Sequence, residues 1–294
     1  QLPLAMGLNL KSDFTVSGIL FNLTLNYQAP NRHFLTKINR IVKKVLYQRM
    51  LNNNKFTIGF SLDPFFKEYA ANYLNNSSKI SSISDPSLFS QKLSLYKNNL
   101  IDFSDDKRIL FLMFGYIQER KGIFQLLKSI KYIDKSLDNQ INICIAGKID
   151  PNIRDQIKGT VNIIKRNRAE IKLDLWDRYV SDRELISIIL SSDCILAPYQ
   201  HFSGSSGVIL WAAGACKPII TQKYGLLGKW TRSNTLGIST DTTNPKEIAK
   251  AISQMINFQD SIYDSDKMKS FVKEHTPDNF SNVIFHNFVK NDTK

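Results

Sequence analysis

Residues 201–220, HFSGSSGVILWAAGACKPII, are the stretch that decides the fold of this chain. The run just before them, 193–198, is short, apolar and ends at a proline, which is typical of a buried parallel strand. A turn rich in glycine and serine follows, then a helical pattern from Gly207 and a second apolar run at 218–221. This order predicts a strand, a loop of small residues, a helix and a further strand.

The loop between that strand and that helix is suited to an anion. Ser203, Ser205 and Ser206 can cap the helix, while Gly204 and Gly207 have no Cβ to keep a ligand from the backbone. The first N–H groups of a helix have no partner inside it and lie at its positive end. We therefore predict that this loop binds the diphosphate of a nucleotide.

The alternation of strand and helix extends through the second half of the chain. Apolar runs predict strands at 109–114, 141–146, 171–175, 193–197 and 218–221, and helical patterns lie between them at 123–133, 151–167 and 182–191. The last of these helices opens with Ser181 and Glu184, the pair of a capping box. The alternation predicts an α/β fold with a parallel sheet, whose ligands bind at the carboxyl ends of the strands.

The first hundred residues are less regular. They contain a buried-strand candidate at 16–25, a basic helix at 37–51, a second strand at 56–61 and a helix at 63–74. The tract 75–86 is polar and rich in turn residues, as is typical of the approach to a domain boundary. We place that boundary near residue 104, with one domain at 1–104, a second at 105–260 and a helical segment at 261–294.

Composition places the chain among globular proteins. Its 294 residues, 43% of them hydrophobic and 22% charged, leave room for two domains with real cores. No apolar run reaches the roughly 18 residues of a membrane-spanning helix, and the start does not resemble a signal peptide, so we expect a cytoplasmic location. No cysteine and histidine pair has the spacing of metal ligands, so we expect no metal.

The net charge of +13 favours partners that carry phosphate or an anionic membrane surface. The basic helix at 37–51 has an apolar stripe formed by Ile38, Ile41, Val42, Val45 and Leu46. Such a helix can lie on anionic lipid, which would make the protein peripheral on the cytoplasmic membrane face, but a domain helix with a solvated basic face has the same pattern. Nucleic acid is disfavoured as a partner, because the aromatic residues are not interleaved with a basic stripe.

Four segments, taken in order, carry a resemblance to a known family. They are FGYIQERKG at 114–122, IAG at 145–147, RYVSDREL at 178–185 and the stretch 203–220. They resemble the Gly-Arg-x4-Lys-Gly loop, the strand ending in glycine, the Gly-x-Val-x-Asp-Glu-Leu segment and the donor loop of GT-B glycosyltransferases of the group 1, or GT4-like, type. The resemblance covers about residues 108–255 and implies a Rossmann-like donor-binding domain.

The first domain is similar to the last part of that family's amino-terminal, acceptor-binding domain. The resemblance implies a partial second Rossmann-like domain, whose opening strands we expect upstream of Gln1. It also implies that the segment 261–294 packs back toward the amino-terminal domain.

The resemblance assigns Lys121 to the donor phosphate, where an ammonium would neutralise charge on the leaving diphosphate. The family's companion arginine falls on Tyr116, which donates one hydrogen bond but brings no charge. Arg120 is the candidate to replace it. The family's paired glutamates, which contact the transferred sugar and the ribose, fall on Ser203 and Trp211, and neither carries a carboxylate.

The remaining site residues surround the same loop. Backbone and hydroxyl groups of Gly204, Ser205, Ser206 and Gly207 would bind the diphosphate. By resemblance, Tyr179 and Val180 would lie beside the nucleobase, and Gly147 and Lys148 would line the same cleft. His201 is a second catalytic candidate, since it precedes the donor loop and can approach sugar or phosphate.

The resemblance thus implies transfer of a sugar from a nucleotide diphosphate sugar to a hydroxyl acceptor, with retention of configuration and without a metal or cofactor. A saccharide or lipid-linked glycan in polysaccharide biosynthesis fits as acceptor. The alternative is a degenerate, non-catalytic protein that binds a nucleotide sugar or serves as a partner subunit, which the loss of both glutamates and of the arginine favours.

Overall fold

The computed structural model describes residues 14–21, 23–27, 34–103 and 107–292. The amino-terminal part is built on a small parallel sheet with strand order β1-β2-β3. Its strands are β1 (Val16–Leu20), β2 (Phe56–Ser61) and β3 (Ile80–Ser82). The helices of this part are α1 (Phe34–Asn52), α2 (Pro64–Tyr73) and α3 (Phe89–Tyr96).

The second half is built on a larger sheet that is parallel throughout, with strand order β6-β5-β4-β7-β8-β9. Its strands are β4 (Ile109–Phe114), β5 (Ile141–Ala146), β6 (Lys172–Trp176), β7 (Cys194–Ala197), β8 (Ile219–Gln222) and β9 (Gly237–Thr240). The chain runs outward from β4 to β6, returns to β7 beside β4, and continues outward to β9. This is the doubly wound Rossmann order, and its switch point lies between β4 and β7.

Helices cover both faces of the larger sheet, and three more follow β9. They are α4 (Ile123–Ser129), α5 (Arg154–Asn167), α6 (Asp182–Ser191), α7 (Gly207–Gly214), α8 (Gly225–Ser233), α9 (Pro245–Ile262), α10 (Ser265–Glu274) and α11 (Pro277–Asp292). Their starts follow local chemistry. Ser181 and Glu184 form the predicted capping box of α6, and Ser206 caps α7.

The strands are apolar on both sides because both faces of the sheet are buried. Along β4, Leu110 and Leu112 join the core on one face, while Phe111 and Met113 join the core on the other. Such double burial explains why these strands are continuous apolar runs rather than alternating ones.

The sequence predictions of α/β class and parallel sheet are confirmed, but several elements differ. The strand predicted at 16–25 ends at Leu20, because its partner β2 ends at Ser61, directly opposite. The helix predicted at 123–133 is α-helical only to Ser129 and ends as a 3-10 turn. Strand β3 was not predicted, because its sequence Ile-Ser-Ser lies within a polar tract.

The carboxyl-terminal helices extend back to the amino-terminal sheet. Phe280, Val283 and Ile284 of α11 pack against a small core formed by Ile58, Phe60 and Ile83. The Ser87 N–H donates to the carbonyl oxygen of His275 at 2.8 Å, which joins the connection before α3 to the end of α10. Residues 104–106 lie outside the described residues, so the boundary at 104 stays a prediction.

Candidate functional site

The loops that follow β4 and β7 meet at the switch point of the larger sheet. Gly122 has φ of +79°, and a Cβ there would lie 1.9 Å from the carbonyl oxygen of Pro198. The Gln200 N–H donates to the carbonyl oxygen of Arg120 at 2.8 Å. Only a glycine at 122 permits this approach, so the two loops form one continuous wall at the carboxyl ends of the strands.

Lys121 is the buried cation of this wall. Its side chain is 7% exposed, and its ammonium donates to the carbonyl oxygen of Phe114 at 2.5 Å. Burial, and then the nearby charge of Arg120, lower the pKa of Lys121 to about 8. Lys121 forms no salt bridge with a carboxylate of the described residues. An anion bound beside Lys121 would therefore supply an opposite charge and stabilise the protonated form of its ammonium group.

Gly115 makes room for that ammonium. A Cβ at this position would lie 2.8 Å from the Lys121 Nζ, and the residue has φ of +92°. The two other candidates of the loop lie outside the buried pocket. Tyr116 is exposed, while the Arg120 guanidinium lies over the rings of Tyr199 and Phe202, with 4.5 Å to the Phe202 centroid.

Tyr199 connects the lysine to the start of α7. Its ring lies 5.8 Å from the Lys121 Nζ, and its hydroxyl is 2.9 Å from the Ser206 hydroxyl. Ser206 in turn accepts the N–H of Val208, as a helix cap does. The structure thus places Lys121 and the serine-rich loop on the same side of the sheet.

The backbone at the start of α7 retains free donors. Among the described residues, the N–H groups of Gly204, Ser205, Ser206 and Gly207 donate no hydrogen bond to protein atoms. These four N–H groups form the cluster that an anion at a helix start requires. Ser203 is buried, and its carbonyl oxygen accepts the N–H of Leu226, which fixes the loop against α8.

The loop also faces the amino-terminal part across a cavity. A space of about 120 Å³ is lined by the ends of β1 and β2 on one side and by 203–205 on the other. Across it, Asp85 approaches the donor loop, and its Oδ2 accepts a hydrogen bond from the Ser205 hydroxyl at 2.5 Å. A carboxylate therefore lies beside the predicted diphosphate loop.

Trp211 packs against other aromatic side chains. Its ring lies 5.5 Å from that of Phe89 and 6.3 Å from that of Phe114. The Lys92 ammonium lies 5.6 Å from the indole and forms an ion pair with Asp182 at 2.7 Å. The indole thus has an apolar side toward the core and a cationic neighbour.

Gly147 and Lys148 shape the wall. Gly147 has φ of +147°, and a Cβ there would lie 2.0 Å from the carbonyl oxygen of Gly115, so the glycine permits the loops after β4 and β5 to touch. The Gly147 N–H is already used, since it donates to Trp176. Lys148 is exposed, and its carbonyl oxygen accepts the N–H of Ile117.

The other three candidates differ in placement. Tyr179 is 79% exposed beyond the end of β6, whereas Val180 packs against the core. Among the described residues, neither N–H donates a hydrogen bond, so both are available to a planar ligand edge. His201 is exposed and has φ of +52°, a left-handed conformation that is uncommon for residues other than glycine but that histidine adopts more readily than most.

Sequence reasoning did not identify three charged residues near the donor loop. They are Asp63, Asp85 and Lys92. Asp63 and Asp85 lie in the amino-terminal half, where the motifs are faint, and reach the loop only through the packing of the two halves. The one available signal was the Ser84-Asp-Pro86 run that precedes α3.

A doubly wound parallel sheet that faces a second parallel sheet across a cleft, with a loop rich in glycine and serine at its switch point, is the GT-B architecture of glycosyltransferases. The chain belongs to the family of glycosyl transferases group 1, whose model matches residues 101–274, more than half of the sequence. The resemblance and the fold class predicted from sequence are confirmed.

Solved structures agree on the fold. Anabaena HepE in complex with UDP is 13% identical, with 94% of this chain and 72% of that chain covered and a TM-score of 0.68. Sucrose-phosphate synthase of Thermosynechococcus elongatus is 14% identical, with 96% and 69% covered and a TM-score of 0.66. No curated protein sequence matches the chain. Within the described residues, no helix is both long and apolar enough to cross a bilayer.

Proposed function

We infer that the protein transfers a sugar from a nucleotide diphosphate sugar to a hydroxyl acceptor, with retention of configuration. The observation that carries this proposal is the group of free N–H donors at 204–207 beside the buried Lys121 ammonium. The buried cation is costly without an anion because it loses the solvation that water gives it, while Ser205, Ser206 and Gly207 are partly or fully exposed, so their N–H groups are accessible to a ligand. A diphosphate supplies the missing partner for both.

The chemistry follows from that field. The bond between the anomeric carbon and the diphosphate oxygen breaks as negative charge accumulates on the leaving phosphate. Lys121 and the N–H groups of the loop stabilise this charge, which lowers the barrier. The acceptor oxygen forms the new bond on the same face of the sugar, and its proton passes to the leaving phosphate. This sequence requires no metal and no redox cofactor.

The bound UDP of Anabaena HepE and the UDP-glucose complex of the same protein support the choice of a nucleotide diphosphate sugar. In our proposal the diphosphate binds at 204–207, the base lies toward Tyr179 and Val180, and the exposed Tyr116 and Lys148 flank the entrance. His201 would reach the sugar from the loop before Ser203.

Thermal-shift titration with UDP, GDP and ADP tests the site. We expect at least one diphosphate to raise Tm. At a hundredfold excess over Kd, binding adds about 2.7 kcal/mol to the free energy of unfolding. Lys121→Ala should bind the same diphosphate at least about tenfold more weakly. Its Tm shift, measured against its own ligand-free Tm, should therefore be smaller than that of the wild type. Lys131→Ala removes a lysine near Tyr132, away from this loop, and should leave the shift unchanged. If no diphosphate stabilises the wild type, the proposal is wrong.

The non-catalytic alternative has specific observations in its favour. Ser203 and Trp211 stand where carboxylates are expected, and Asp85 already engages the Ser205 hydroxyl. An assay of sugar release from UDP-, GDP- and ADP-sugars, with and without saccharide acceptors, separates the two. Binding of a nucleotide sugar without turnover would support a binding subunit, whereas acceptor-dependent release of the diphosphate would support the transferase.

A cytoplasmic, membrane-peripheral location and a lipid-linked or polysaccharide acceptor belong to the same proposal. Helix α1 supports it, since Ile38, Ile41, Val42 and Val45 are all 40% exposed or more and form one stripe beside lysines. Anionic lipid suits such a face. Sedimentation with phosphatidylglycerol vesicles, but not phosphatidylcholine vesicles, should remove the protein from solution, and Ile41→Glu should weaken that binding. Equal recovery from both supernatants would contradict the membrane role.

A further inference from the structure

The cavity between the two sheets adjoins the anion loop directly. Ser203, Gly204 and Ser205 line it, and the N–H groups of the last two belong to the proposed diphosphate site. A group attached to a diphosphate bound there would have this space of about 120 Å³ beside it, because both share Gly204 and Ser205. A pyranose ring has comparable size, so the cavity is placed and sized for the sugar of the donor.

Two carboxylates give this cavity its chemical character. Asp85 lies opposite the donor loop, and only its Oδ2 is engaged, by Ser205. Among the described residues, its Oδ1 accepts no hydrogen bond. Asp63 lies deeper and is 5% exposed, with its oxygens held by the Asn26 amide at 2.8 Å and the Phe65 N–H at 3.0 Å. Asp63 is therefore occupied as a helix cap, and Asp85 has capacity for a ligand.

Ser203 supplies an independent indication of a ligand. Its residue is 6% exposed, it lines the cavity, and among the described residues its hydroxyl has no hydrogen-bond partner. Because this hydroxyl opens onto the cavity, it can donate a hydrogen bond to a bound molecule and accept one from it. Ser203 and Asp85 thus line the same space from its two walls.

We propose that this cavity binds the transferred sugar as a neutral hexose, with Asp85 and Ser203 as hydrogen-bond partners of its hydroxyl groups. This assignment rests on the proposed function and refines it. Asp85 belongs to the amino-terminal half, and it supplies the carboxylate that the donor half lacks at Ser203 and Trp211. Hydroxyl groups donate to carboxylates, and such charge-assisted bonds are the stronger kind.

The same two carboxylates exclude an acidic sugar. A hexuronate would bring a third negative charge into a space bounded by Asp63 and Asp85 and by the apolar side chains of Leu20, Leu23, Leu62 and Leu226. Lys229, which interacts with Asp63, does not line this space, and its ammonium lies over the Phe65 ring at 3.5 Å. Like charges in a site of low dielectric constant repel, so the cavity selects an uncharged ring.

Affinity measurements on the full chain test this. The probes are UDP, GDP and ADP, each beside its hexose conjugate, UDP-glucose, GDP-mannose and ADP-glucose, with UDP-glucuronate and GDP-mannuronate as charged counterparts. In the wild type we expect the hexose conjugate to bind at least about tenfold more tightly than the hexuronate. In Asp85→Ala the hexose conjugate should bind about tenfold more weakly, while the free diphosphate binds as well as before or better.

Two further variants keep the test decisive. Ser203→Ala should weaken the hexose conjugate and leave the diphosphate unchanged, and it provides the answer if Asp85→Ala does not fold. Asp266→Ala removes an exposed carboxylate paired with Lys269, remote from the cavity, and should change neither affinity.

The failures are distinguishable. If none of the three diphosphates binds, the proposed function fails and the sugar cavity fails with it. If a diphosphate binds but Asp85→Ala weakens it and its hexose conjugate equally, or if the wild type accepts the hexuronate as well as the hexose, only the sugar cavity is wrong.

Discussion

The ammonium of Lys121 lies 2.5 Å from the carbonyl oxygen of Phe114, the last residue of β4. This contact positions the cation at the switch point of the sheet without neutralising it. Because the side chain is buried, its pKa is lowered to about 8, close enough to neutrality for its charge to vary within an ordinary experiment.

Diphosphate binding should therefore depend on pH. The protonated lysine binds the anion, and the anion in turn favours the protonated form, so bound Lys121 has a higher pKa than free Lys121. Affinity should be greatest below pH 8 and fall by up to about tenfold per pH unit above it. Calorimetric titration of the best diphosphate across this range measures the effect.

Lys121→Met supplies the control for that profile. It should bind weakly at every pH, and its affinity should not change as the pH rises through 8. A wild-type affinity that stays constant above this pH would show that Lys121 is not in contact with the ligand.

Gly122 should tolerate no side chain. Its φ of +79° is strained for other residues, and a Cβ would overlap the Pro198 carbonyl oxygen. Gly122→Ala should lower the free energy of unfolding by about 3 kcal/mol or more and weaken diphosphate binding, because the loops after β4 and β7 must separate. Chemical denaturation and the thermal-shift titration measure the two effects.

Gly159→Ala is the matched control. Gly159 lies inside α5, and a Cβ there would have no neighbouring atom within 4 Å, so alanine should stabilise the helix by about 0.5–1 kcal/mol. If both variants destabilise the protein equally, the contact at Pro198 does not explain the loss at Gly122.

The sequence was sufficient for the larger sheet because that sheet is buried on both faces. Its strands β4 and β5 have the bounds expected from their apolar runs, and the start of α6 follows from Ser181 and Glu184. Elements with weaker local signals were not predicted. Helix α8 contains Gly225 and Gly228, and strand β9 is only four residues long and half-buried.

The candidate site was predictable to the extent that it is local in sequence. The loop 203–207 and Lys121 are each part of a motif, and the structure places both at the switch point. Asp85 is different, because its distance to Ser205 depends on how the two sheets pack, at a separation of 120 residues in the chain. No periodicity or spacing contains that information. The sequence shows that both glutamate positions are altered, but it does not show that Asp85 lies beside the loop.

A buried ion pair joins Arg168, at the end of α5, to Asp138, in the turn before β5. Arg168 donates to both carboxylate oxygens of Asp138 and to the carbonyl oxygens of Ile130 and Ile133. Arg168→Met leaves a buried carboxylate without its partner, so we expect a loss of about 3–5 kcal/mol in the free energy of unfolding. Lys269→Met removes an exposed ion pair with Asp266 and should not change Tm measurably. A loss equally small in Arg168→Met would show that water reaches Asp138.

Trp211→Glu restores a carboxylate at the position of the family's second glutamate. It tests whether a carboxylate there contacts the ribose. The indole lies beside the Lys92 ammonium, which pairs with Asp182 and whose positive charge also favours the ionised form of a glutamate at this position. A carboxylate there should accept hydrogen bonds from ribose hydroxyls, which the indole cannot do. The variant should therefore prefer UDP over 2′-deoxy-UDP about tenfold more strongly than the wild type does.

The stability cost of this variant has to be separated from its effect on binding. Removal of the indole from its contacts with Phe89 and Phe114 should cost about 2–3 kcal/mol whatever replaces it. Trp211→Leu has that cost without the carboxylate, so its ratio of UDP to 2′-deoxy-UDP affinity should equal that of the wild type. If Trp211→Leu and Trp211→Glu show the same ratio, position 211 does not face the ribose, and the loss of the family's second glutamate has no bearing on how this chain binds its donor.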